Sequence, residues 1–169
     1  MSKINNLQEL LVDELRDLYS AEVQLTKALP KMSEAATNTA LKEAFDEHLA
    51  QTRVHVERLT QALEMLGESE SGKTCHAMKG LVEEGAEAIK AAATAPVRDA
   101  NLIGAAQRVE HYEMAGYGCA RAFALKLGQN DIANLLQATL KEEGAANQRL
   151  TLVAETVNED AFCAADLAT

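Results

Sequence analysis

Four long stretches of the sequence repeat apolar residues every three or four positions, and this spacing limits the chain to a helical fold. We predict long helices over residues 7–36, 41–66, 100–127 and 131–157. The composition agrees, because the chain has 31 alanines, 4% aromatic residues and no tryptophan. Alanine is the best helix former, whereas strands favour aromatic and β-branched residues.

Local signals predict where these helices begin and end. Asn6 is a candidate cap for the first helix, and Asp99 for the third long one. Pro30 should bend or end the first helix at the residue before it. Gly67 and Gly128 should end the second and third long helices, because glycine adopts the left-handed conformation found at helix ends.

The connection between the two helix pairs is about 30 residues long and carries a shorter predicted helix over residues 76–93. Antiparallel neighbours need only a few linking residues. The length therefore favours an all-α, ferritin-like four-helix bundle with one long crossover over a plain up-and-down bundle. We expect a single domain over residues 1–160 and a short C-terminal tail over 161–169.

The charge of the chain excludes some classes of partner. Acidic residues outnumber basic ones 26 to 16, which gives a formal net charge of −10. We therefore expect neither a nucleic acid nor an anionic membrane as partner. No apolar run approaches the roughly 18 residues of a membrane span, and the N-terminus lacks the apolar core of a signal peptide, so we expect a cytoplasmic protein. Cys75, Cys119 and Cys163 should be free thiols.

Each predicted long helix carries polar residues in the middle of its apolar stripe. In an antiparallel bundle the four midpoints lie at one level, so these side chains should converge. The residues that interrupt the stripes are Glu22, His48, Thr52, His55, Glu110, Glu113, Glu143 and Asn147. The two hairpins also match in spacing, since Glu22 and His55 are 33 residues apart, as are Glu110 and Glu143.

Buried carboxylates are very costly unless a cation neutralises them. Two divalent ions would balance four glutamates, with His55 as a nitrogen donor and Gln51 as a weak ligand or hydrogen-bond donor. Oxygen and imidazole donors without thiolate favour iron or manganese. The predicted carboxylate ligands are Glu22, Glu110, Glu113 and Glu143. The alternative is that they form salt bridges with Arg108, Arg121 or Arg149.

The residues around this cluster receive simpler predictions. His48 is expected to be structural, and Glu142 should point to solvent because it lies about 100° around the helix from Glu143. His76 and His111 lie away from the shared level. Tyrosines near the ligands could hydrogen-bond to their carboxylates, be oxidised, or simply pack in the core. These are Tyr19, Tyr112 and Tyr117.

Three strings of the sequence carry a resemblance to a known family. They are YSAEVQLTKALPKM around Glu22, CHAMKGLVEE after the long connection, and AAQRVEHYEMAGYG around Glu110 and Glu113. In these strings the chain resembles the YciE/YciF family of ferritin-like bacterial stress proteins, over nearly its whole length. The resemblance implies a dimeric, cytoplasmic bundle related to rubrerythrin and manganese catalase and associated with the stress response.

The rubrerythrin pattern implied by this resemblance matches the chain only in part. Its glutamates on the first, third and fourth helices match Glu22, the Glu110–Glu113 pair and Glu143, but Asn147 replaces the fourth-helix histidine. The second helix offers Gln51 and His55 in place of Glu-x-x-His. Two functions remain open: a di-metal protein acting on peroxide, oxygen or ferrous iron, and a non-enzymatic dimeric stress-response protein with a degenerate metal site.

Overall fold

The computed structural model describes residues 4–166, and their side chains as far as residue 163. Within this part the chain forms five helices and no strand, which confirms the all-α prediction. No helix among the described residues combines the length and the apolar character needed to cross a bilayer. The helices are α1 (Leu7–Ala35), α2 (Thr39–Met65), α3 (His76–Lys90), α4 (Ala95–Lys126) and α5 (Asn130–Asp166).

The four long helices form a closed bundle. Helix α1 pairs with α2 and α4 pairs with α5, while α2 also packs on α5 and α1 on α4. The short helix α3 lies in the crossover and packs on α1 and α4. This is the ferritin-like bundle with one long crossover that the connection length predicted.

The core consists of two apolar layers. One layer includes Leu25, Phe45 and Leu150, and the other includes Leu11 and Ile132. Between the two layers lies a level of buried polar side chains from all four long helices. The layers close both ends of this level, so the fold places its polar residues deep inside an apolar interior.

Most predicted helix ends agree with the structure. The Asn6 side chain accepts a hydrogen bond from the Glu9 amide and caps α1, while Gly67 and Gly128 follow the ends of α2 and α4 with φ of 72° and 73°. Of the two outcomes predicted at Pro30, an end of the helix does not occur, since α1 continues to Ala35, and a bend stays a prediction. Proline costs a helix about 3 kcal/mol, and burial of the following turn, including Met32, offsets that cost.

The sequence suggested that Asp99 caps its own helix, and this prediction is wrong. Helix α4 begins earlier, after Thr94, with proline in its first turn. Asp99 lies inside α4, is 1% exposed, and accepts hydrogen bonds from the amides of Thr37 at 3.0 Å and Asn38 at 2.7 Å. Its carboxylate thus caps the start of α2, a pairing that local sequence cannot reveal.

Helix α5 is longer than predicted. It continues to Asp166 instead of ending at residue 157, because the segment after 157 is rich in alanine and has neither glycine nor proline. Residues 161–166 of the predicted tail are therefore helical, and residues 167–169 lie outside the described part. The domain boundary at residue 160 stays a prediction. Helix α3 ends at Lys90, three residues before its predicted end.

Candidate metal centre

The polar level of the bundle contains two groups of side chains that could each hold a metal ion. In each group, one donor atom from every residue lies within 4.8 Å of all the others. Glu143 is common to both groups, and every member is at most 5% exposed. The first group is His48, Glu110, Glu113 and Glu143, and the second is Glu22, His55 and Glu143.

The carboxylates in these groups have few partners. Among the described residues, six of their oxygens are buried without a hydrogen bond: one each from Glu22 and Glu110, and both from Glu113 and Glu143. Such atoms cost free energy unless something fills their coordination. Oxygen donors of this kind suit a hard or borderline cation, so the residues present fit a bound metal.

The arginine alternative does not hold in the structure. Arg108 pairs with Glu84, and Arg149 lies near Glu43 and Glu47, all on the surface. Within the described part of the chain, no arginine forms an ion pair with Glu22, Glu110, Glu113 or Glu143. The only basic side chains close to these carboxylates are the two histidines of the described cluster.

Burial changes the protonation of the glutamates. It raises the pKa of Glu110 and Glu113 well above the usual carboxyl range, because a carboxylate loses its hydration there. It also raises the pKa of Glu22 to about 7, although hydrogen bonding to His55 opposes the change. In the metal-free protein these groups hold protons that a metal ion must displace.

His55 lies between the two sides of the cluster. Its Nδ1 is 2.9 Å from Glu143 Oε1 and 3.2 Å from Glu22 Oε1. Burial alone would lower the pKa of His55, but the close contacts with the Glu143 and Glu22 carboxylates outweigh it and raise the pKa to about 10. The same interaction lowers the pKa of Glu143 despite the burial of that carboxylate. Without metal, the His55 imidazolium therefore supplies positive charge to the cluster.

Glu142 points to this histidine, so the prediction that it faces solvent is wrong. Its Oε2 lies 2.8 Å from His55 Nε2, and it accepts two hydrogen bonds from Arg58 at 2.5 and 3.1 Å. The rotation of about 100° from Glu143 turns Glu142 toward α2, which packs on this side of α5. The contact fixes the ring of His55 so that Nδ1 faces the cluster.

His48 also belongs to the cluster, contrary to its predicted structural role. Its Nε2 is 3.3 Å from Glu110 Oε1 and 3.7 Å from Glu143 Oε2. Burial lowers the pKa of His48, which favours the neutral ring that metals bind. The seven-residue spacing from His55 could have revealed it, because two helical turns return to the same face.

Gln51 and Asn147 lie beside the cluster. The Oε1 of Gln51 is 3.4 Å from His48 Nδ1, so Gln51 contacts the predicted site through a histidine, and its role as a ligand stays a prediction. Asn147, at the position where the rubrerythrin pattern has a histidine, accepts a hydrogen bond from Gln107 at 3.3 Å.

The tyrosines differ in their contacts. Tyr117 is fully buried and donates a 2.6 Å hydrogen bond to Glu22 Oε1, which confirms a predicted contact. Tyr112 instead donates to Asp17, and its hydroxyl lies 2.9 Å from Cys75 Sγ. Tyr19 packs against the apolar layer near the chain's N-terminal end. One of the three tyrosines therefore contacts a candidate ligand directly.

Comparisons with known proteins place this site in a wider group. The family described as "Domain of unknown function (DUF892)" matches residues 6–162. Protein YciF of Escherichia coli K12 is 43% identical over 164 residues, covering 94% of this chain and 96% of YciF. The crystal structure of that stress protein superposes with a TM-score of 0.89, with 41% identity, covering 92% of this chain and 99% of the other.

Two further solved structures share the fold. YcfI from Rhodopseudomonas palustris is 45% identical, with a TM-score of 0.84 and coverage of 88% of this chain and 95% of the other. A ferritin-like diiron-carboxylate protein from Bacillus anthracis has a TM-score of 0.70 and covers 89% of this chain and 99% of the other. Its 12% identity shows likeness of fold alone.

Proposed function

The chain belongs to the DUF892 family, and from this membership and its buried cluster we propose that it is a ferritin-like di-metal carboxylate protein of the stress response. The observation that carries the proposal is the convergence of four buried glutamates and two buried histidines in two groups that share Glu143. Two divalent ions would neutralise the four glutamates, and iron or manganese suits the donor set.

In this proposal each residue has a defined task. Glu110, Glu113 and His48 would hold one ion and Glu22 and His55 the other, with Glu143 as a member of both groups. Iron or manganese would supply reversible electron transfer for reaction with peroxide, oxygen or ferrous iron.

The surrounding residues position the ligands. Tyr117 holds the Glu22 carboxylate through its hydroxyl, and Glu142, itself held by Arg58, orients the His55 ring. The two apolar layers limit the access of bulk water to the cluster.

A second function has one observation in its favour. Asn147, which hydrogen-bonds to Gln107, stands where the rubrerythrin pattern has a histidine, so this position offers no imidazole ligand. That departure supports a non-enzymatic stress-response protein with a degenerate metal site. His48 opposes this interpretation, because it brings an imidazole to the same cluster from α2.

Metal analysis of the purified protein tests the first function. After reconstitution with ferrous iron or Mn²⁺, we expect two ions per chain in the wild type, as the two groups imply. Glu143→Ala should remove both ions because the residue is shared, while Glu57→Ala, at an exposed position on α2, should keep both. A wild type without bound iron or manganese would contradict the proposal. Anomalous scattering from the loaded crystal would locate each ion.

Peroxide consumption then separates the two functions. We expect the iron-loaded wild type to consume hydrogen peroxide and Glu22→Ala to lose this activity. A metal-loaded protein that reacts with neither peroxide, oxygen nor ferrous iron would favour the non-enzymatic function.

The proposal includes a homodimer in the cytoplasm, as the family resemblance implies. Light scattering on the eluted protein gives its mass in solution and would show a monomer directly if the dimer does not form.

A further inference from the structure

A cleft between α2 and α5 leads from the surface to the first metal group. Its floor is formed by His48, Gln51 and Glu110, and its volume is about 100 Å³, enough for a few water molecules. Its walls are apolar and mostly small: Ala44, Phe45, Ala145, Ala146 and Leu150. A larger cavity of about 220 Å³ lies between α1, α3 and α4, but no residue of either metal group lines it.

We propose that this cleft is the entrance by which a neutral, water-sized oxidant, hydrogen peroxide, reaches the metal centre. The inference rests on the proposed function and adds the path and the substrate class. His48 supports it, because this side chain is 5% exposed, lines the cleft, and has its Nε2 buried without a hydrogen bond. His48 therefore lies between the cleft and the carboxylates of the first metal group.

Size and charge select the substrate class. A cleft of about 100 Å³ holds only a few water-sized molecules, so we expect it to favour hydrogen peroxide over an organic hydroperoxide with a bulky alkyl group. At the rim Glu47 lies 3.9 Å from Arg149, so charges of both signs flank the opening. Apolar walls offer a charged ligand no partner for its lost hydration, whereas neutral hydrogen peroxide meets hydrogen-bonding groups of His48 and Gln51 at the floor.

Leucines in the cleft wall test the path. The double variant Ala145→Leu/Ala146→Leu should fill the opening, and Ala50→Leu is the matched control, since Ala50 is an exposed helical alanine that does not line the cleft. In the ferrous protein, the association rate of nitric oxide, a small neutral probe, should fall about tenfold or more in the double variant. Metal content and the Ala50→Leu rate should stay at wild-type values.

A second readout needs no metal. Hydrogen–deuterium exchange at the imidazole C2 of His48 should slow in the metal-free double variant, while exchange at the exposed His111 should not change. An unchanged rate of hydrogen–deuterium exchange at His48 in the double variant would contradict the proposed entrance, whether or not the protein binds metal. Absence of metal in the wild type would overturn the proposed function alone, so the two failures are distinguishable.

Two oxidants test the substrate class. The loaded wild type should react with hydrogen peroxide at least about tenfold faster than with tert-butyl hydroperoxide, and filling the cleft should slow the first reaction. Equal rates for the two oxidants, or a nitric oxide rate unaffected by the double variant, would overturn the proposal.

Discussion

Glu143 is the residue on which the candidate centre depends most. It contributes to both metal groups, lies 2.9 Å from His55 Nδ1, and is fully buried. Burial alone would raise its pKa, yet the two histidines lower it. A carboxylate that stays ionised in an apolar interior needs positive charge nearby, and the His55 imidazolium gives that charge when metal is absent.

At the same scale, His48 should be required for the binding of one ion and not of the other. His48→Ala removes a nitrogen donor from the first group only, so we expect loss of one ion with retention of the ion bound by Glu22 and His55. His111→Ala is the control, because that histidine is exposed and contacts only the Gln107 carbonyl. Metal analysis and anomalous scattering measure the result. An unchanged metal content in His48→Ala would show that the histidine is structural.

At the scale of the elements, the close approach of α1 and α4 depends on a glycine. A Cβ atom at Gly116 would lie 2.8 Å from Leu18 Cδ2, in a fully buried side chain, and 3.4 Å from Glu14 Oε1. At Gly118, two residues along the same helix, nothing lies within 4 Å of such an atom. Only the first glycine is therefore required by packing.

Alanine substitutions at these two glycines should differ in their effect. Gly118→Ala should raise the free energy of unfolding by about 0.5–1 kcal/mol, since alanine is the better helix former. Gly116→Ala gains the same propensity but crowds Leu18, so it should be about 1–3 kcal/mol less stable than Gly118→Ala. Urea unfolding followed by circular dichroism measures both. Equal stabilities would mean that Leu18 moves without cost.

The contact between the start of α2 and α4 depends on Asp99. Asp99→Ala would leave the amides of Thr37 and Asn38 without their acceptor, and we expect a loss of about 1–3 kcal/mol in the free energy of unfolding. Asp46→Ala, at an exposed position on α2, should change it by less than about 0.5 kcal/mol. Equal stability of the two variants in urea would mean that the hydrogen bonds of Asp99 make no net contribution to the free energy of unfolding.

For the whole molecule, the buried charges make the stability of the metal-free protein depend on pH. Glu22 has its pKa raised from 4.5 to about 7, and His55 from 6.5 to about 10. Both groups bind their protons more tightly in the folded state, so the stability they contribute is lost as pH rises through these folded values. Glu110 and Glu113 act in the same direction.

We therefore expect the free energy of unfolding of the metal-free protein to fall between about pH 6.5 and pH 10, the ordinary and folded pKa values of His55. His48, whose lowered pKa acts in the opposite direction, contributes only below its ordinary value of 6.5. Urea unfolding in the presence of a chelator measures this change. Glu22→Gln should make the fall in the free energy of unfolding smaller up to about pH 7. Metal affinity should instead rise with pH, because ligand protons must leave. A metal-free protein that becomes more stable with rising pH would contradict this assignment.

The sequence by itself determined the helices, the crossover and most of the site. Helical periodicity acts over one turn, so it showed that Glu22, Glu110, Glu113 and Glu143 interrupt apolar stripes, and the four midpoints of a bundle share one level. Only the tertiary structure decided the partners of His48, Glu142 and Asp99. Each of these side chains contacts a residue on another helix. Such a contact depends on how the two helices are rotated about their axes and how closely they pack, and no local pattern encodes it.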